Sequence, residues 1–191
     1  TPDAGPARVV SISALTNDHV GQVFAVRAKV VETSSFSAGF KFLLDDGTGR
    51  ISLTIFDSDY RFVPDRAGLN LGAEVLAEGK VAVFQGGLEL QPNAGRDVTI
   101  LSAGSSATVP VSPINQLIKP GLFVAVEGTI TEVRPFSSGT NLTVDDGTGT
   151  IRVTIFDNVL AYVPNRSGLA TGAKVRVVGK TDFFGRMQVV P

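Results

Sequence analysis

An internal repeat constrains the fold of this chain more than any other feature. The run Asp-Asp-Gly-Thr-Gly at residues 45–49 returns at residues 145–149, 100 positions later. The same register holds without a gap from residues 21–84 to residues 121–184. A match of this length indicates a duplication, so the chain is predicted to contain the same small domain twice.

Length and composition fit two small globular domains. The chain has 191 residues, of which 43% are apolar and 18% charged, a balance typical of folded domains and not of disorder. The small residues at 103–108 are typical of a linker, so we predict domains at 1–104 and 105–191, with the boundary near Ser105. Upstream of the gap-free region, one inserted residue aligns residues 12–15 with residues 111–114.

Alternating polar and apolar residues predict strands in each copy. In the second copy this pattern covers residues 141–144 and 151–155, and the Asp-Asp-Gly-Thr-Gly between them supplies the residues of a tight hairpin turn. The residues predicted to face the core are Leu142, Val144, Ile151, Val153 and Ile155.

Three more strands are predicted in each copy, so that each has five. In the first copy they cover residues 23–32, 74–84 and 88–91, and residues 58–63 are predicted to form one or two helical turns before Pro64. A long first strand and a short helix between the third and fourth strands are typical of the OB barrel. The predicted fold class is therefore all-β, with two tandem five-stranded Greek-key OB barrels.

A family resemblance supports this fold. The run Leu-Asp-Asp-Gly-Thr-Gly-Arg-Ile-Ser-Leu-Thr-Ile-Phe at residues 44–56, followed by Leu69, Gly72, Val75 and Phe84, resembles the OB domains of replication protein A and of the anticodon-binding type. The resemblance covers nearly the whole chain. It implies binding of single-stranded nucleic acid across strands two and three, between the loops that join strands one to two and four to five.

Aromatic and cationic side chains near this predicted cleft are the candidate binding residues. If Ile151, Val153 and Ile155 face the core, Phe156 projects from the opposite side of its strand, and Phe56 does so in the first copy. Exposed aromatic rings stack on bases, and cations neutralise phosphates. The predicted nucleic-acid-binding residues are Phe36, Lys41, Arg50, Phe56, Lys80, Phe84, Arg134, Phe136, Arg152, Phe156, Lys180, Phe184 and Arg186.

Each group of candidates also has a structural interpretation. Phe56 and Phe156 could be covered by the segment after their strand or by the other barrel. Phe36 and Phe136, predicted to lie in the loop between strands one and two, could instead plug the barrel mouth. The cations could be ordinary surface charges.

The residue types present argue against catalysis. The chain has no cysteine and one histidine, His19, so we predict no nucleophile–base pair, no zinc site and no cofactor. The pairs Asp45–Asp46 and Asp145–Asp146 are explained by the hairpin turn and are not predicted to bind metal. No apolar run approaches the roughly 20 residues of a membrane helix. Without a starting Met, we expect a processed or excised piece.

Two functions follow from these observations. The first is a noncatalytic module that binds single-stranded DNA or RNA through two OB clefts. The alternative is a protein-interaction, oligosaccharide-binding or scaffold pair within an exported multidomain protein. The isoelectric point near 5.8, the many Thr, Ser and Val residues and the missing Met favour this alternative.

Overall fold

The structure of the protein is a computed structural model that describes residues 7–191; the first six residues of the predicted first domain lie outside the described residues. The chain divides into two compact units. One runs through Glu32 and continues over Gly39–Ser106, and the other contains Thr33–Ala38 and Ala107–Pro191.

Strands are the main secondary structure of both units. In chain order the first set of elements is β1 (Val23–Phe36), β2 (Gly39–Asp45), β3 (Arg50–Phe56), α1 (Asp57–Tyr60), β4 (Glu74–Phe84), β5 (Gly87–Gln91) and β6 (Val98–Ser102). The second set is β7 (Phe123–Phe136), β8 (Gly139–Asp145), β9 (Thr150–Phe156), α2 (Asp157–Leu160), β10 (Lys174–Phe184) and β11 (Arg186–Val190). Short 3₁₀ turns lie at Ile12–Ala14, Asn17–His19, Arg66–Gly68, Gly95–Asp97, Ser106–Thr108, Ile114–Gln116 and Arg166–Gly168.

The strands close into OB-type barrels, as predicted. In the first unit the order is β1-β2-β3-β5-β4, and β4 pairs back with β1. In the second unit β10-β11-β9-β8-β7 form a closed barrel. In both, the third and fifth strands run parallel, at Ser52 opposite Glu89 and at Arg152 opposite Gln188. The first unit adds a sixth strand, β6, antiparallel to the first half of β4.

The predicted alternation of core residues is confirmed. Leu53 and Ile55 of β3 are fully buried, and so is Val153 of β9, with Ile151 and Ile155 at most 5% exposed. Glycine marks the point where the fourth strand meets the end of the fifth. A Cβ atom at Gly79 would collide with the carbonyl of Gln91, and one at Gly179 with the carbonyl of Val190. The repeated glycine is therefore a packing requirement of the barrel.

The second aspartate of each hairpin ties the lead-in segment to the barrel. Asp46 Oδ1 accepts the backbone N–H groups of Thr48 and Gly49, and its Oδ2 accepts the N–H of Ile12 at 2.7 Å. Asp146 makes the equivalent bond to Ile114 at 2.8 Å. Ile12 is thus equivalent to Ile114, and the predicted alignment of residues 12–15 with 111–114 is wrong. The segment between this 3₁₀ turn and the first strand is shorter in the second copy.

The connection between the first two strands is tighter than predicted. Phe36 and Phe136 are the last residues of β1 and β7, so residues 37–38 and 137–138 alone join them to the next strands. Placing these two aromatics in a loop was therefore wrong. At the start of β8, a Cβ on Gly139 would collide with the Ile155 carbonyl, so this glycine lets β8 lie close to β9. Within residues 7–191 no helix has the length and apolarity needed to cross a membrane.

Candidate functional site

The outward residues of the second, third and fifth strands, together with the last residue of the fourth strand, form one face on each unit. We call them the first face (Lys41, Ser52, Thr54, Phe56, Phe84, Glu89 and Gln91) and the second face (Asn141, Arg152, Thr154, Phe156, Phe184 and Gln188). Strand pairing fixes their layout: Lys41 lies opposite Thr54, and Asn141 lies opposite Thr154. These faces are the surfaces that the parity of β3 and β9 predicted to point away from the core.

Glu89 is the centre of the first face. It is only 4% exposed, yet it lies on the polar side of β5. Thr54 Oγ1 donates to its Oε2 at 2.8 Å, Lys41 Nζ donates to the same oxygen at 3.2 Å, and Gln91 Nε2 donates to Oε1. Burial by itself would raise the pKa of Glu89, but these hydrogen bonds outweigh it and hold the pKa below its ordinary value. Glu89 is therefore ionised at neutral pH.

Lys41 is held in place by two partners. Besides its ion pair with Glu89, its Nζ lies 4.0 Å from the centroid of the Phe84 ring. A cation over an aromatic face is attracted by the ring quadrupole. The structure thus brings together two of the predicted residues, Lys41 and Phe84, and places a buried carboxylate, which was not predicted, beneath them.

On the second face a neutral amide takes the place of the carboxylate. Gln188 Oε1 accepts from Arg152 Nε at 2.9 Å, and its Nε2 donates to Asp182 Oδ2 at 3.2 Å. The Thr154 hydroxyl lies 2.8 Å from Gln188 Oε1 and 2.7 Å from Asn141 Oδ1. These contacts fill the middle of the face with fixed hydrogen-bonding groups.

Arg152 is oriented by two hydrogen bonds. In addition to the bond to Gln188, its Nη2 donates to the backbone carbonyl of Phe184 at 2.6 Å. Burial, followed by repulsion from Arg186, lowers the pKa of Arg152 from its ordinary value, and Asp182 acts in the opposite direction. Two predicted cations, Arg152 and Arg186, therefore lie close enough to influence each other.

Aromatic rings flank both faces. Phe156 meets Phe136 edge to face, with ring centroids 6.3 Å apart and planes at 78°. At the hairpin between the last two strands, Phe184 is 76% exposed and its neighbour Phe183 is 60% exposed. On the first face Phe56 is 43% exposed and Phe84 is 52% exposed. Aromatic area of this size at the ends of a polar strip is available to planar ligands.

The remaining predicted residues occupy other places. Arg50 is paired with Asp45 at 2.7 Å in the β2–β3 turn, and Arg134 is paired with Glu132 at 2.6 Å. Lys80 and Lys180 lie on β4 and β10, four residues before Phe84 and Phe184. Phe36 ends β1 within the segment Thr33–Ala38 that belongs to the second unit.

Sequence reasoning missed the fifth-strand residues and one exposed aromatic. Glu89 and Gln188 make the central contacts of the two faces, and Phe183 exposes more of its surface than Phe56 does. The alternation of side chains along the fifth strand could have indicated Glu89 and Gln188. Leu90 and Val189 face the core, so the residues before them must face outward. No pattern in the sequence indicated Phe183, since its exposure comes from the hairpin extending beyond the barrel.

The turn aspartates have structural partners. Asp45 Oδ2 accepts from Arg50, and Asp46 uses both oxygens on backbone and Thr48 donors. Burial works against ionisation of Asp46, but its hydrogen bonds prevail and lower its pKa. Among residues 7–191 no cluster of three or more His, Cys, Asp or Glu residues is arranged to hold a metal ion.

Comparison with known proteins connects these faces to a family. A family model described as "OB-fold nucleic acid binding domain", of the tRNA anticodon type, matches residues 20–98 and 124–190. Among solved structures, a replication protein A heterotrimer bound to ssDNA aligns with a TM-score of 0.51 and 18% identity, covering 95% of this chain and 52% of that one. No curated protein sequence matches significantly.

Two further structures align at lower TM-scores. The p204 HINb domain gives 0.44 with 15% identity, covering 91% of this chain and 94% of that one. Asparaginyl-tRNA synthetase from Pyrococcus horikoshii gives 0.44 with 17% identity, covering 56% of this chain and 27% of the synthetase. The chain therefore spans about half of the replication protein A chain and about a quarter of the synthetase.

Proposed function

Because the chain belongs to the OB-fold nucleic acid binding domain family, we propose that it is a noncatalytic module that binds single-stranded DNA or RNA across the first and second faces. Membership rests on a family match that extends over most of both units. The single-stranded ligand, the use of these two faces and the absence of catalysis are our proposal.

The arrangement of the second face is the observation that carries this proposal. Phe136 and Phe156 lie at one end, and the exposed Phe184 lies with Arg152 at the other. Between them are the hydroxyl of Thr154 and the amides of its neighbours. Aromatic rings accept unpaired bases of any sequence, whereas duplex bases are already stacked, so this layout favours a single strand.

The net charge of the chain determines how strongly each face is expected to bind nucleic acid. A net charge of −1 gives no general attraction for phosphates, so each face alone is expected to bind weakly. Two weak sites on one chain gain effective concentration for each other when a strand is long enough to reach both. We therefore expect affinity to rise steeply once an oligonucleotide exceeds the length that one barrel covers, about 4–16 nucleotides.

A titration of labelled oligo-dT followed by fluorescence anisotropy tests the function. At low salt the protein should bind oligo-dT, and the logarithm of the association constant should fall linearly with the logarithm of salt concentration. Oligo-rU measured in parallel decides between DNA and RNA, because only RNA offers a 2′-hydroxyl. The alternative function, a protein- or oligosaccharide-binding pair, predicts no salt-dependent binding of either oligonucleotide.

A double-stranded control separates single-strand binding from general attraction to phosphate. The same sequence presented as a duplex should bind more weakly than the single strand at every salt concentration, because its bases cannot stack on the aromatic rings. Equal binding of the two forms would contradict a site built on stacking, and no binding to either would exclude the proposed function.

A further inference from the structure

The two faces share one scaffold but differ at four positions, at one of which Gln91 of the first face is replaced by Val190. Lys41, Ser52 and Glu89 of the first face correspond to Asn141, Arg152 and Gln188 of the second. The threonine between them is the same in both, Thr54 and Thr154, and it bonds to the fifth-strand residue in both. The local geometry is therefore matched, while the charge is not.

We propose that the residue at the fifth-strand position, Glu89 on the first face and Gln188 on the second, determines how much each face contributes to phosphate binding. The inference rests on the proposed function. It assigns the phosphate contact to Arg152 of the second face and gives the first face a weaker, stacking-dominated role.

On the first face the only central cation is already neutralised. Lys41 is bonded to Glu89 and lies over Phe84, so both the carboxylate and the aromatic ring interact with its positive charge. Glu89 itself is buried and bonded to three donors, which keeps its negative charge beneath the face. A phosphate that approached Lys41 would have to compete with this carboxylate, and taking Lys41 away would leave a buried charge unpaired, which is costly.

On the second face the cation is oriented without being neutralised. The amide oxygen of Gln188 and the carbonyl of Phe184 fix Arg152 but carry no net charge. A guanidinium has five N–H donors, and these two bonds use two of them, so donors remain for a ligand. Asp182 is the nearby carboxylate, but it is bonded to the other end of Gln188, and Arg186 adds a second positive charge. The planar fork of arginine matches the two oxygens of a phosphate.

Exchanging the two residues tests the inference with opposite expected signs. Glu89→Gln releases the charge of Lys41 and should strengthen oligo-dT binding several-fold at low salt, with the salt slope steeper by about 0.7 for one added phosphate contact. Gln188→Glu should neutralise Arg152 and weaken binding about tenfold, with the slope flatter by about 0.7. Arg152→Ser, which installs the residue of the first face, should match Gln188→Glu.

Control variants test whether the changes in binding are specific to the two faces. Arg166→Ser removes an exposed arginine outside both faces and should leave affinity and salt slope unchanged. Thermal unfolding of each variant checks the fold. For Glu89→Gln the fold should tolerate the amide, because Gln91 can rotate its own amide to present an oxygen. If that variant unfolds, Gln188→Glu and Arg152→Ser still decide the assignment on the second face.

Titration of the ¹⁵N-labelled full chain with oligo-dT locates the sites. Amide shifts should appear in β8, β9 and β11 at lower ligand concentration than in β2, β3 and β5. If oligo-dT binds but Glu89→Gln does not strengthen it, or Arg152→Ser leaves the salt slope unchanged, the division between the faces is wrong while the proposed function stands. If wild-type protein binds no oligonucleotide at low salt, the proposed function fails and this inference with it.

Discussion

Removing the two third-strand aromatics tests whether the faces bind by stacking. A base stacked on an aromatic side chain contributes about 1–3 kcal/mol, so Phe56→Ala combined with Phe156→Ala should weaken oligo-dT binding by ~2 kcal/mol or more, about 30-fold. Fluorescence anisotropy at fixed low salt measures both single variants and the double variant.

The same two substitutions should cost little stability. Phe56 leaves 43% of its surface exposed, so its removal forfeits only part of a burial term that is about 1.5–3 kcal/mol for a complete side chain. For Phe156 the edge-to-face contact with Phe136 adds about 0.5–1.5 kcal/mol. Each single variant should therefore unfold in urea within about 3 kcal/mol of wild type, below the usual cost of emptying a core phenylalanine site.

Two further variants separate stacking from simple loss of surface. Phe56→Leu with Phe156→Leu keeps most of the apolar volume but removes the flat ring, and it should lose nearly as much binding as the alanine pair. Phe62→Ala removes a phenylalanine that is 64% exposed and lies between α1 and β4, outside both faces, and should bind as wild type. Unchanged binding in the leucine pair would refute stacking by these rings. If the alanine pair unfolds and wild type binds nothing at low salt, both rings are structural.

Four other predictions concern the scaffold. Asp46→Ala removes the acceptor of four donors and should lower the free energy of unfolding in urea by ~2 kcal/mol. The pKa of Asp46 is lowered in the folded state, so ionised Asp46 contributes its full stabilisation above the ordinary pKa of 3.8, and this stabilisation is lost as pH falls through the folded-state pKa. The free energy of unfolding of Asp46→Asn should therefore fall less steeply with decreasing pH than that of wild type. Leu53→Ala, at a fully buried site, should cost about 2–5 kcal/mol, and a cost below 1 kcal/mol would contradict its place in the core. Limited proteolysis should cut first within residues 103–108, as the predicted boundary near Ser105 requires; a first cut inside a barrel strand would argue against it.

Local patterns in the sequence were sufficient to predict the barrel strands. Side chains alternate with a period of two along a strand, so the apolar residues of β3 and β9 determine which neighbours face outward. The Asp-Asp-Gly-Thr-Gly run predicted a hairpin because its residues favour turns, and Gly47 and Gly147 indeed adopt positive φ angles of 83° and 85°. These predictions needed no knowledge of which strands are neighbours in the barrel.

The centre of each face depends on contacts that no local pattern shows. Glu89 meets Thr54 only because β5 pairs in parallel with β3, which is a contact between residues far apart in the sequence. The lead-in alignment failed for a similar reason. The hydrogen bond to Asp46 is donated by the backbone N–H of Ile12, so the identity of the side chains near Ile12 does not indicate it. Phe36 and Phe136 were misplaced because the first strand of each copy continues to them, which leaves only two residues for the turn.

The duplication also allows the two copies to be compared within one chain. Both copies have the same residue at the hairpin, Asp46 and Asp146, and where the fourth strand meets the fifth, Gly79 and Gly179. Each of these residues lies against backbone atoms of its own barrel. A side chain engaged in this way holds the fold and is not available to a ligand. The positions that differ in charge lie on the outward faces, where a substitution changes the electrostatics without disturbing the core: Lys41 against Asn141, Ser52 against Arg152 and Glu89 against Gln188. Under the proposed function, two barrels that differ there are expected to hold the same strand by different means, one by stacking and the other by stacking together with a phosphate contact.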